Sequence, residues 1–148
     1  MNLSNLTTRS QQALAAAMQQ AAAAGNPAIE PAHVLTALLA QDGGTAAPLL
    51  QAAGVDVAVV RSELKAAVDA LPSASGTSVQ NPGLSRSTHE VLQRAADLAA
   101  ELGDEYISTE HLAVGVATVA SSAKDVLAAH GATPDALGAA FETVRGGA

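Results

Sequence analysis

His33 and His111 stand 78 positions apart, each in the first turn of a predicted helix. An imidazole so placed can ligate a metal, titrate near neutral pH, or hydrogen-bond the backbone at the helix start. A metal site needs further ligands converging on the ring, and none is evident around either histidine. His89-Glu-Val-Leu-Gln93 follows the helical zinc pattern for three letters, then puts Gln93 where the second histidine must stand. Asp104 and Glu110 could form a carboxylate pair for acid–base work. A helix start and the connection before it explain both without catalysis, because negative charge is favoured at a helix N-terminus. The two lysines, Lys65 and Lys124, follow Leu64 and Ala123 rather than a glycine, so the chain carries no phosphate-binding Gly-Lys-Ser/Thr loop. No Gly-x-Ser-x-Gly elbow occurs. No catalytic residue, metal or cofactor is assigned, and the residues point to binding rather than turnover.

The elements that must position these residues form an internal duplication. The stretch Gly103 to Ala117 reads as a helix end, a short connection and a new helix. Gly103 can close a helix in the left-handed conformation, Ile107 can pin the connection to a core, and Ser108 can cap the new helix. Gly25, Ile29 and His33 precede Gly103, Ile107 and His111 by 78 positions, and Pro31 takes the place of Thr109, where a first-turn proline suits a helix. Gly54 and Gly131 match at an offset of 77. The pattern predicts an all-α protein of eight helices: two pseudo-symmetric four-helix repeats packed into one domain over 1–148. Repeat one covers about 7–71, a small-residue linker about 72–84, and repeat two about 85–145.

Within repeat one, Thr7 caps a helix whose stripe reads Leu14, Ala17, Met18, Ala21 and Ala22. The second helix turns Val34, Leu35, Leu38 and Leu39 inward, and Thr45 caps a short third carrying Leu49 and Leu50. Asp56 caps the fourth, with Val57, Val60, Leu64, Val68 and Leu71 facing in. In repeat two a helix begins near Ser85 to Ser87, where Ser87 and Glu90 have capping-box spacing, and the stripe is Val91, Leu92, Ala95, Ala99 and Leu102. The later helices bury Leu112 and Val116, then Val126 and Leu127, then Leu137 and Phe141. Arg145-Gly-Gly-Ala reads as a frayed tail or the start of another linker.

Composition agrees. Of the 148 residues 49% are hydrophobic, many of them alanine, and Tyr106 and Phe141 are the aromatics, so closely packed helices must supply the buried area. A net charge of −7 argues against a nucleic-acid partner. No cysteine is present. No apolar run is long enough for a membrane span, and the chain is expected to be soluble, cytoplasmic and monomeric in isolation. The seam between two such repeats is a natural concave site for an apolar peptide, with Thr7, Leu92, Asp104 and Glu110, at the starts of equivalent helices, as candidates to line it; plain surface is the alternative.

The residues also carry a family resemblance. Leu6-Thr7 leading into an Ala-Leu helix, Ile29-Glu-Pro-Ala-His-Val-Leu-Thr-Ala-Leu-Leu39 and Gly103-Asp-Glu-Tyr-Ile-Ser-Thr-Glu-His-Leu112 resemble the duplicated Clp N-terminal domain that heads the Hsp100 AAA+ unfoldases. Gln41-Asp-Gly-Gly44, Pro48-Leu-Leu50, Ala53-Gly54, Leu71-Pro72 and Val144-Arg-Gly-Gly147 are most similar to its ClpB disaggregase branch. The resemblance covers essentially the whole chain. It implies a module that binds unfolded or aggregated polypeptide and passes it to a hexameric AAA+ ring outside this chain, with the Hsp70 system a partner at that level. It places the substrate groove at Thr7, Leu92, Asp104 and Glu110, followed by His111 where the family often has an apolar residue. The Thr-Glu-His triplet that serves phosphoarginine recognition in the ClpC branch reads Pro31-Ala32-His33 in the first repeat here. A free-standing Clp-N protein that sequesters ligands or competes with an unfoldase is the alternative, distinguished by whether a linker and ATPase come after Ala148.

Overall fold

The computed structural model describes residues 5–73 and 81–146. Over these the chain forms eight helices and two very short strands, in the order α1 (Thr8–Ala23), β1 (Ala28–Ile29), α2 (Pro31–Ala40), α3 (Ala46–Ala52), α4 (Val57–Asp69), β2 (Gly83–Leu84), α5 (Arg86–Glu101), α6 (Thr109–Thr118), α7 (Ser122–Ala129) and α8 (Pro134–Gly146). The all-α class expected from the alanine-rich composition is the one observed. Residues 74–80, most of the predicted linker, lie outside the described residues.

Side-chain oxygens satisfy the free N–H groups at most helix starts. Thr7 accepts from Ser10 N–H, Asp56 from Ala58 N–H and Ser108 from His111 N–H. Ser85, not Ser87, caps α5 by accepting from Thr88 N–H; Glu90 instead pairs with Arg86 at 3.6 Å. The reason lies outside the helix. Gly83–Leu84, two residues read as linker, pair in parallel with Ala28–Ile29 and fix where the chain enters α5.

That pairing is half of an exchange between the repeats. Ile29 O accepts from Ser85 N–H (3.1 Å) and from the Thr88 hydroxyl (2.7 Å). Ile107 O accepts from Thr7 N–H (3.1 Å) and from the Ser10 hydroxyl (2.9 Å), beside a Leu6–Ile107 bridge. Each repeat's helix connection is thus bonded to the start of the other repeat's first helix. The short helices cross over likewise: α3 packs on α8, and α7 on α4.

The core runs through α2 and α6, which are buried on nearly every side, as helices apolar all round must be. α1 and α5 lie against them. A Cβ on Gly115 of α6 would come 2.7 Å from Val91 O, so glycine there permits the close approach of α5; the matched positions in repeat one are Ala37 and Ala13. The face of α1 differs from expectation. Ser10, Ala13, Ala17 and Ala21 are buried, Leu14 is half-buried and Met18 is exposed. Small side chains let α1 sit close on α2, and the larger Leu14 and Met18 fall to the edge. Leu102, placed on the inward stripe of α5, is 47% exposed at its C-cap. Leu71 and Val126 are half-buried rather than core. Among the described residues no single helix is long and apolar enough to cross a membrane.

Candidate functional site

A pocket of about 250 Å³ opens where the start of α1 meets the α5–α6 connection. Thr7 reaches it from repeat one, Asp104 and Tyr106 from the connection, Glu110 and His111 from the first turn of α6, and Arg145 from the last turn of α8. Four of the five residues expected to form a groove therefore line one pocket. Leu92 does not. It is 1% exposed in the core, because α5 turns the stripe that carries it against α6, while its repeat counterpart Leu14 is only half-buried.

His111 organises the floor. Its Nδ1 accepts the Ser108 N–H at 2.8 Å, which puts the ring proton on Nε2, and Nε2–H donates to Asp104 Oδ2 at 2.9 Å. Asp104 also receives both arms of the Arg145 guanidinium, at 2.8 and 2.9 Å. That bidentate pair holds the Asp104 carboxyl below the usual carboxylate range; partial burial opposes it and the His111 bond assists. Phe141 packs behind, its ring 5.4 Å from His111 and 5.1 Å beneath the Arg145 guanidinium. Arg145 is thus a helical residue tied to the pocket rather than part of a frayed tail. Its signal in the sequence was the Leu137–Phe141 stripe, which continues at the next four-residue step to position 145.

Glu110 is held from across the seam. Its Oε1 accepts the Thr45 hydroxyl at 2.5 Å and lies 3.3 Å from the Thr109 hydroxyl. Thr45, expected to cap α3, makes no side-chain bond to that helix. Nothing near Thr45 in the sequence announces this, since its partners are 64 and 65 residues away.

The matched junction in repeat one keeps the histidine geometry and loses the charge. Glu30 N–H donates to His33 Nδ1 at 2.9 Å, and His33 Nε2 faces Asn26 Oδ1 at 2.8 Å. Asn26 donates onward to Pro72 O at 2.9 Å. Both imidazoles therefore fill a helix-start junction and bond backbone, as read from sequence. The counterpart of Glu110 is Ala32, fully buried. Among the described residues no group of three or more His, Asp or Glu side chains could hold a metal ion.

A second concavity, about 240 Å³, has Phe141 on its wall. It lies between α5, α6 and α8, with Leu98, Leu102 and Val114 on its walls. Phe141, on the wall of this concavity, also packs against His111 and Arg145 of the charged pocket.

Eight helices in two cross-bonded repeats, with a charged pocket where the repeats meet, define a class of small all-α domains. The model of the Clp repeat N-terminal domain family matches residues 5–130, and the chain belongs to that family. Over all 148 residues it is 53% identical to the chaperone protein ClpB of Mycobacterium tuberculosis, covering 100% of this chain and 17% of that one. The chain thus spans about one sixth of the length of such relatives. Its fold is similar to that of the Hsp104 N-terminal domain from Candida albicans (TM-score 0.80, 18% identity, covering 96% of this chain and 92% of that one). It is also similar to a ClpV N-domain solved in complex with a VipB peptide (TM-score 0.72, 21% identity, covering 95% and 87%).

Proposed function

We propose that this chain is the substrate-recruiting module of a ClpB-type disaggregase, binding unfolded or aggregated polypeptide at the seam and passing it to an AAA+ ring outside this chain. Residues 7–71 and 85–145 act as one module, itself without enzymatic activity, in a cytoplasmic chaperone that cooperates with the Hsp70 system. The observation that carries the reading is the convergence of Thr7, Asp104, Glu110 and His111 on one pocket beside an apolar groove. Carboxylates and hydroxyls can take backbone N–H groups of an extended chain, and Leu102 and Phe141 can take its apolar side chains. The peptide held by a ClpV N-domain supports the same use of the fold. Each encounter is weak, and repetition around a ring makes it effective through local concentration.

The test is a fluorescence-anisotropy titration of a labelled, permanently unfolded protein against wild type, Glu110→Ala and Glu30→Ala. Glu110 lies in the first turn of α6, where a partly exposed charge stabilises by only about 0.3–1 kcal/mol, so melting should change little. Binding should weaken several-fold for Glu110→Ala and stay unchanged for Glu30→Ala. Wild-type binding by Glu110→Ala would leave Glu110 as a helix-start charge and remove it from the groove.

A further inference from the structure

Thr45 sits in repeat one at the start of α3, yet its hydroxyl points its chemistry into repeat two. It donates to Glu110 Oε1 and lies 2.5 Å from the Thr109 hydroxyl. One hydrogen-bond order satisfies all three groups: Thr109 O–H donates to Thr45 Oγ1, and Thr45 O–H donates to the Glu110 carboxylate. Short O–H···O⁻ contacts of this kind are charge-assisted and directional. Thr109 is 4% exposed, so the relay is anchored in the core at one end and reaches the pocket at the other.

A helix start ordinarily claims such a hydroxyl for its own free N–H groups. The start of α7 does so: Ser121 accepts from Lys124 N–H at 3.1 Å. Thr45 makes no such bond, and its backbone takes a helical conformation (φ −99°, ψ −12°) instead of the extended one found at Ser121. A local rule broken in one copy of a repeat and kept in the other marks a position with a different task. We infer that Thr45 is a positioning residue for ligand binding: it fixes one oxygen of Glu110 from across the seam and leaves Oε2 for the incoming polypeptide. The inference rests on the recruiting role of the pocket proposed above. It adds that a second residue of repeat one, besides Thr7, orients a group of repeat two, so that ligand affinity depends on how the two repeats are docked.

The experiment uses residues 1–148 and, as probe, a fluorescein-labelled globular protein kept unfolded by reduction and carboxymethylation. Thr45→Val removes the hydroxyl and keeps the shape, and should bind at least about threefold more weakly. Thr45→Ser restores the hydroxyl and should bind within about twofold of wild type, a rescue that loss of packing would not give. In a Glu110→Ala background, Thr45→Val should add almost nothing, because the group it orients is gone. Thr45→Ala replaces Thr45→Val if a melting curve shows that the latter fails to fold. Wild-type binding by Thr45→Val alongside weakened Glu110→Ala overturns the positioning role and leaves the pocket reading standing. So does full additivity of the two changes, or failure of serine to rescue. Wild-type binding by Glu110→Ala takes Glu110 out of the groove and overturns the positioning role with it, whereas failure of wild type to bind the probe overturns the recruiting role itself.

Discussion

Two junctions in this molecule begin from the same local plan and end with different chemistry. In each, a glycine closes a helix, the next residue faces an imidazole, and that imidazole takes a backbone N–H on its Nδ1. In repeat one the facing residue is Asn26. Its oxygen takes the His33 proton and its NH₂ goes to Pro72 O, so the neutral set is closed. In repeat two the matched residue is Asp104, which has no proton to give. Its remaining lone pairs call for a cation, and Arg145 supplies one from α8. Exchanging an amide nitrogen for an oxygen thus turns a buried structural knot into a charged pocket. The duplicated scaffold keeps one junction neutral and closed and leaves the other charged beside a pocket.

The largest effect that could break this picture lies in the core. Leu92→Ala should cost about 2–5 kcal/mol, because Leu92 is 1% exposed and its loss leaves a cavity. Leu14→Ala, at the half-buried counterpart, should cost about 1 kcal/mol. Urea unfolding of the two variants reads the difference directly, and equal losses would mean the two faces are packed alike.

Asn26→Asp imports the repeat-two residue into the closed junction. The donor to Pro72 O is lost and a carboxylate oxygen meets a carbonyl oxygen in a site 3% exposed. At pH 7.5 this should cost about 1–3 kcal/mol. Acidification to pH 5.5 should shrink the deficit, because a protonated His33 would then pair with the new carboxylate.

In the unaltered chain His33 responds to acid with the opposite sign. Burial pushes its pKa below 6.5, with the Glu30 charge acting weakly the other way. Between that lowered value and 6.5 the unfolded chain binds more protons than the folded one, so this group withdraws stability as pH falls through 6.5. His33→Gln should lower stability at neutral pH and flatten its decline from pH 7 to pH 5 relative to wild type. Parallel curves would mean that His33 is not held neutral.

What could be read from the sequence was local. Thr7, Asp56 and Ser108 signal helix starts by side-chain type alone, and Pro31 and Gly103 signal a start and a stop by their backbone preferences. The α1 face was legible in part: Ala17 and Ala21 of the expected stripe are buried, but with alanine at so many positions Leu14 and Met18 drew the rest of it toward the edge and away from Ser10 and Ala13. The choice of Ser85 over Ser87 depends on a strand pair formed with Ile29. Thr7, Asp104 and Glu110 are candidates from their place at helix starts along the seam, and the family resemblance adds His111, whereas Arg145 and Thr45 join the site through contacts 41 and 65 residues distant. Such contacts leave no mark on local periodicity.

The smallest effect tests the comparison from the other side. Asp104→Asn makes the pocket resemble the repeat-one junction: the amide oxygen can still accept from His111 Nε2, while the charge pair with Arg145 disappears. Asp104 and Arg145 are 18% and 44% exposed at the side chain, so solvent screens the pair and the loss at neutral pH should stay within about 1 kcal/mol. Its pH dependence has a definite sign. Because the folded Asp104 carboxyl lies below 3.8, its contribution is fully present above that value and is lost as pH falls through the folded value. The wild-type and Asp104→Asn stability curves should therefore run parallel above about pH 5 and converge below about pH 4, where the wild type gives up what the variant never had. Binding of unfolded polypeptide should fall several-fold at neutral pH, with the melting temperature nearly unchanged. A variant that binds as well as wild type would show that the charge at position 104 serves to hold α8 in place, and that the two junctions differ in electrostatics without differing in function.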